Sequence, residues 1–193
     1  GTCSTEDVHV TPLMSSSCCC RAPHIPEAFQ RVRRSIRTTA QMGSVRRGKI
    51  IDDEPSIAKL ARSARRIAVL GIAPEAKMDR PAFYVAQYMH QAGVQVLPVP
   101  VYYPEVQVIL GEKVYRKVQD IPNSDELDLV NVFRKSSDIP GHMEDIIAAK
   151  PKAVWFQLGI RNDECAEQLV NAGIDVVQDH CLKVAHSNVT SVL

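Results

Sequence analysis

Lys77 and Arg80 lie in the segment 71–81, Gly-Ile-Ala-Pro-Glu-Ala-Lys-Met-Asp-Arg-Pro, between a short apolar run and a proline-led helical stretch. Bases at that junction suit an anion, because a helix start offers unpaired N–H groups and the positive end of its dipole. The alternative is that both are ordinary solvated bases. Phe133 and Arg134 close a second apolar run. The ring can stack on a base and the guanidinium can pair a phosphate through two parallel hydrogen bonds, or Phe133 is simply core. Gln157 and Gly159 close a third run, where glycine permits close backbone approach. Cys181 follows His180, a pairing that points to thiol nucleophilic or redox chemistry. Adjacency along the chain does not bring two side chains together, so a packed or ligand-adjacent thiol is the competing reading.

These groups share one position: each sits where an apolar run ends. Runs at 67–70, 94–99, 127–133, 153–158 and 174–177 are nearly continuous in apolar residues, as strands covered on both faces should be. Helical stretches alternate with them. Residues 55–64 carry a cap at Asp53 or Glu54, and 81–93 begin with proline and stop at Gly93. A further helix runs from Ser136 or Ser137 through Ala149, and another from Asn162 or Asp163 to Gly173. The pattern predicts βαβ units in an α/β fold with a five-stranded parallel sheet. Residues 100–123 show no amphipathic helix and are expected to be mostly loop. Ligands of such sheets bind at the carboxyl ends of the strands, where strand order reverses.

The bulk composition narrows the partners. A net charge of +1 conceals an asymmetry: residues 1–50 hold eight bases and three acids, leaving 15 bases and 19 acids beyond. A mildly acidic domain is a poor partner for nucleic acid, whose phosphates need a basic face. No apolar run approaches the ~20 residues that cross a bilayer. Residues 14–41 are rich in Arg and Ser, with Ala28, Phe29, Val32 and Ile36 at helical spacing among Arg31, Arg33, Arg34 and Arg37. This is the physical form of a transit peptide, mitochondrial because Arg outnumbers either Ser or Thr; a disordered basic tail on a cytoplasmic protein is the alternative. Residues 1–50 are therefore read as an extension and 51–193 as the folded domain. Four of the six cysteines (Cys3, Cys18, Cys19, Cys20) fall in the extension, and none shows paired metal-ligand spacing.

Two requirements of an ordinary dinucleotide site fail. The first loop supplies Gly71 but no G-x-G-x-x-G, and the second run ends Leu97-Pro98-Val99-Pro100 without an acid for ribose hydroxyls. NAD(P) stays only as an alternative ligand.

Taken together, Asp79-Arg80-Pro81, the stretch 110–115 (LGEKVY), 120–122 (DIP), 130–134 (VNVFR), 157–159 (QLG) and 179–182 (DHCL) resemble the small CoA-binding domain proteins. The fold of that family is Rossmann-like, three-layered, and similar to the amino-terminal domain of the succinyl-CoA synthetase α subunit. The resemblance spans residues 65–183 and implies coenzyme A as ligand. It implies that Gly71, Ile72 and Ala73 present backbone to the pyrophosphate beside Lys77 and Arg80, while Phe133, Arg134, Gln157 and Gly159 line the rest, with Cys181 near the cofactor. Departures are Ala73 where relatives often have Ser, a longer loop before Arg80, residues 100–104 (PVYYP) replacing a common Asn-Pro, and His180 in place of Arg. The synthetase's phosphorylated histidine belongs to a second domain and does not carry over. The expected role is a non-catalytic module for CoA or acyl-CoA as carrier, sensor or regulator. A thiol-dependent protein using Cys181, including one that forms a mixed disulfide with CoA, is the alternative.

Overall fold

The computed structural model describes residues 46–187. The basic stretch read as a transit peptide lies outside the described residues. Five strands form one parallel sheet: β1 (Arg66–Leu70), β2 (Gln95–Val99), β5 (Leu129–Val132), β6 (Ala153–Phe156) and β7 (Asp175–Val177), in the order β2-β1-β5-β6-β7. The chain moves outward from β1 to β2, then returns to the other side of β1. Strand order therefore reverses between β1 and β5. Both faces are packed, as the continuous apolar runs require: Ile67, Val69, Leu129 and Trp155 point to one layer, Ala68, Leu70, Val130 and Phe156 to the other.

Helices α1 (Glu54–Ser63), α2 (Pro81–Gln91) and α5 (Leu182–Ser187) cover the first face; α3 (Met143–Ala149) and α4 (Asp163–Asn171) cover the second. Asp53 caps α1 by accepting from the Ser56 N–H at 2.9 Å, and Asn162 caps α4 by accepting from the Cys165 N–H at 3.0 Å. Neither Ser136 nor Ser137 caps α3. That helix begins at Met143, six or five residues later than a cap at Ser136 or Ser137 implies, after a 3-10 turn at Ile139–His142, because Pro140 and Gly141 interrupt regular α geometry. The crossover at 100–123 is more than loop. It holds a two-stranded antiparallel hairpin, β3 (Val108–Ile109) and β4 (Glu112–Lys113), whose Leu110 N–H donates to the Glu75 carboxylate at 2.7 Å. This bond ties the hairpin to the loop after β1.

The folded unit also reaches further toward the amino terminus than position 51. Ile50 forms a parallel bridge to Val176, the Val176 N–H donates to the Lys49 carbonyl at 2.9 Å, and Arg46 pairs with Asp175 at 2.7 Å. This segment covers the outer side of β7, which would otherwise present a bare edge.

At the opposite, amino-terminal end of the strands, the Asp128 carboxylate accepts from the Arg65 and Arg66 N–H groups at 2.8 and 3.1 Å and from Lys152 Nζ at 2.7 Å. Burial raises its pKa, but the Lys152 hydrogen bond and the two amides outweigh that and hold the group below its ordinary value of 3.8. A depressed folded pKa means stability that is full above the unfolded value and lost as pH falls through the folded one. Asp128→Asn should therefore cost about 1–2 kcal/mol at neutral pH. In urea titrations the gap between parent and variant should close as the pH drops below 3.8. A gap that persists unchanged into acid would remove Asp128 as its source.

Candidate functional site

Gly71 leaves β1 with φ +87°, and a β-carbon there would stand 2.6 Å from the Phe133 carbonyl oxygen and 3.0 Å from Arg134 Cδ. The ends of β1 and β5 are thus in direct contact at the reversal point. The Gly71 N–H donates to the Val99 carbonyl at 2.8 Å, so this residue contributes room and backbone direction and not a free donor. Ile72 and Ala73 follow it, covered in the core; among the described residues their amides have no acceptor, but their side chains do not border the cleft that opens above the ends of β5 and β6. Lys77 also stays outside that cleft, with Nζ 5.5 Å from the centre of the Tyr103 ring.

Six of the residues singled out from sequence do converge. Arg80, Phe133, Arg134, Gln157, Gly159 and Cys181 line one cleft of about 500 Å³ on the α2 face, above the carboxyl ends of β5 and β6. Pro81, Ala82, Tyr84 and Val85 of α2 form one wall, and Leu158 and Ile160 form another. This size and mixed character suit a small-molecule ligand. The positive corner is the start of α2. No side chain caps it, the Phe83 and Tyr84 amides close on the Arg80 carbonyl, and among the described residues the Ala82 N–H has no acceptor. Arg80 and Lys135, both exposed, add charge at the same rim.

Arg134 behaves differently from the expectation of a guanidinium free for bidentate phosphate pairing. Its Nη2 donates to Asp138 at 2.6 Å and to the Tyr102 hydroxyl at 2.8 Å, and the group lies 4.5 Å from the Tyr102 ring centre. Its Nε is buried with no acceptor. Behind it, a second cleft of about 520 Å³ opens on the α3 face, lined by Leu70, Val101, Arg116 and His142 among others. Burial, and then the Arg134 charge, push the His142 pKa down, so this imidazole is neutral at physiological pH. Arg134 stands as a strut between the two faces.

The Gly159 N–H donates to Asp179 at 2.6 Å, and open space surrounds the position a side chain would take. Cys181 is half-buried and borders both the main cleft and an adjoining one of about 240 Å³ that includes Glu54 and His180. The His180 ring is turned elsewhere, its Nδ1 donating to the Gln178 carbonyl at 2.6 Å and its Nε2 3.6 Å from Glu54. The other described cysteine, Cys165, is buried, and burial raises its thiol pKa. Among the described residues no group of His, Cys, Asp and Glu is placed to hold a metal.

Sequence reasoning missed three things here. Asn131, midway along β5, is fully buried and accepts from Gln157 Nε2 at 2.8 Å; a lone polar residue inside LVNV was the available signal. Asp138 lies four residues past Arg134, but the helix expected from Ser136 or Ser137 starts after Arg134, so no shared helical face linked the two. Helix α5 has six residues, too few to show a period; Lys183 lies over the Tyr84 and Tyr88 rings at 5.4 and 5.5 Å, and His186 Nδ1 is 3.0 Å from the Tyr88 hydroxyl.

A parallel sheet wound to both sides, with an apolar cleft and a cationic corner at its reversal point, defines a nucleotide-binding type of α/β domain. Comparison with known proteins makes the assignment specific. Residues 65–187 match the CoA binding domain model, and the chain belongs to that family. It is 33% identical over 131 residues to the uncharacterized protein YneT of Bacillus subtilis, covering 68% of this chain and 92% of that one. Among solved structures, cell-free ID.343 from Thermus thermophilus is 34% identical with a TM-score of 0.63, covering 71% of this chain and 98% of that one. A hypothetical protein from Pyrococcus horikoshii OT3 is 28% identical with a TM-score of 0.63, covering 72% and 94%.

The crowded reversal point gives a stability test. Gly71→Ala must strain a positive φ and displace the Phe133 carbonyl, whereas Gly93→Ala, at φ +83° with nothing within 4 Å, meets only the φ penalty. Denaturant midpoints should show a loss of about 1 kcal/mol for Gly93→Ala and about 2–4 kcal/mol for Gly71→Ala. Equal losses would mean that β1 and β5 are less tightly apposed.

Proposed function

We propose that the main cleft binds coenzyme A or an acyl-CoA and that the chain works as a non-catalytic carrier, sensor or regulatory module. The observation that carries this reading is the cleft's division into a cationic corner at the α2 start, with Arg80 and Lys135, and apolar walls from Phe133, Val85, Leu158 and Ile160. A phosphorylated nucleotide meets the first and an alkyl arm meets the second. Membership of the CoA binding domain family supports the choice over NAD(P), as do the absent glycine fingerprint and the acid-free end of β2.

The lining also argues against catalysis. Among the described residues it contains no carboxylate and no histidine, the commonest general bases. Arg134, the most buried base, is already matched by Asp138. Cys181 supports the thiol-dependent alternative, because it borders the cleft and is partly open.

Calorimetry against CoA, NAD and NADP tests the reading: CoA binds, and the dinucleotides bind at least tenfold more weakly, about 1.4 kcal/mol. NAD binding with silence toward CoA overturns it. Arg80→Ala should weaken CoA by about 1–2 kcal/mol, more at low salt than at high, because an exposed charge is screened. Cys181→Ser should leave CoA affinity within about twofold, below 0.5 kcal/mol. A CoA adduct in intact-mass spectra that disappears with Cys181→Ser would favour the thiol-dependent alternative.

A further inference from the structure

Gln157 is 4% exposed, yet it borders the cleft. Its Nε2 is held by Asn131 Oδ1 at 2.8 Å. Asn131 sits in the middle of the sheet, in register with Val69 of β1 on one side and Trp155 of β6 on the other. It is 0% exposed and its Nδ2 has no acceptor. An unpaired buried amide is costly, and the apolar residues around it would pack as well against leucine. What asparagine adds is a hold on Gln157.

That hold has a chemical consequence. With Nε2 engaged, Oε1 is the free end of the Gln157 amide; no described residue donates to it, and it is not among the sealed, unpartnered polar atoms. Gln157 itself borders the cleft alongside Phe133 and Leu158, so this oxygen is the part of the amide left for a ligand. A carbonyl in apolar surroundings favours a neutral N–H and disfavours a phosphate oxygen. The cationic corner has the reverse preference. A ligand with phosphates at one end and secondary amides along an alkyl arm matches both.

We propose that Gln157, oriented by Asn131, is a subsite that reads a secondary amide of the pantetheine arm. This rests on the CoA reading above. Gln157 touches the ligand, and Asn131 is a positioning residue acting through it. The site is then selective for the arm and indifferent to the nucleotide.

The test compares CoA with adenosine 3′,5′-bisphosphate, which keeps the 3′-phosphate and one of the two 5′-phosphates and lacks the arm. Gln157→Met preserves the shape and should weaken CoA about tenfold, the worth of one hydrogen bond, while leaving the bisphosphate unchanged. Asn131→Leu removes one orphaned amide but leaves Gln157 Nε2 without its partner, so it should lower the same CoA-to-bisphosphate ratio with little net change in thermal stability, a pattern that a purely structural role would not produce. Equal losses for both ligands, or an unchanged ratio in both variants, overturn the proposal. The parent protein offers a check that needs no variant: the Gln157 side-chain amide resonances should shift with CoA and stay still with the bisphosphate. CoA binding without that shift refutes the subsite alone. A parent protein that binds no CoA refutes the underlying reading as well, so the two failures are told apart.

Discussion

The site depends on the close apposition of two strand ends. Because β1 and β5 are neighbours in the sheet but the chain departs from them in opposite directions, their exits meet at Gly71 and Phe133. There is no room for a β-carbon between Gly71 and the Phe133 carbonyl. The loop after β1 is forced toward α2, and Arg134 is forced to lie between the two faces of the sheet. The cleft on the α2 side is the space this divergence leaves.

Charge around that space is graded. The α2 start, Arg80 and Lys135 are exposed and free to meet an anion. Arg134 is buried and matched by Asp138 and Tyr102, because an unpaired guanidinium at that depth would carry a desolvation penalty. The charge open to an anion therefore lies at the rim, where the helix dipole adds to it, and the buried arginine is held in the floor by its own partners. Further in, the surfaces become apolar, and the polar group that remains there, Gln157, is neutral. The proposed ligand matches such a gradient along its length, with a charged end and an uncharged arm.

The same logic accounts for the struts around the site. Glu75 holds the β3–β4 hairpin against the loop after β1, Asp179 holds the Gly159 amide, and Trp155 donates from Nε1 to the His180 carbonyl at 2.7 Å. Each ties a loop at the carboxyl edge of the sheet to a segment 20 to 35 residues away in the chain. The lining is thereby set by bonds among loops as well as by the strands beneath them.

Much of this was legible in the amino-acid order alone. Apolar runs separated by capped helices determine the parallel sheet, since a strand covered on both faces has no polar side to show, and Asp53 and Asn162 cap as their positions imply. The order also places Arg80, Phe133, Arg134, Gln157, Gly159 and Cys181 at strand ends, which the sheet then gathers into one cleft. Tertiary structure alone decided the rest. It turned Lys77 toward Tyr103, matched Arg134 with Asp138, set Asn131 beneath Gln157, and laid residues 46–50 along β7. Periodicity reports which face of an element is buried, but it cannot report which of several nearby charges or amides will find each other, because that is settled by distances between segments far apart in the chain.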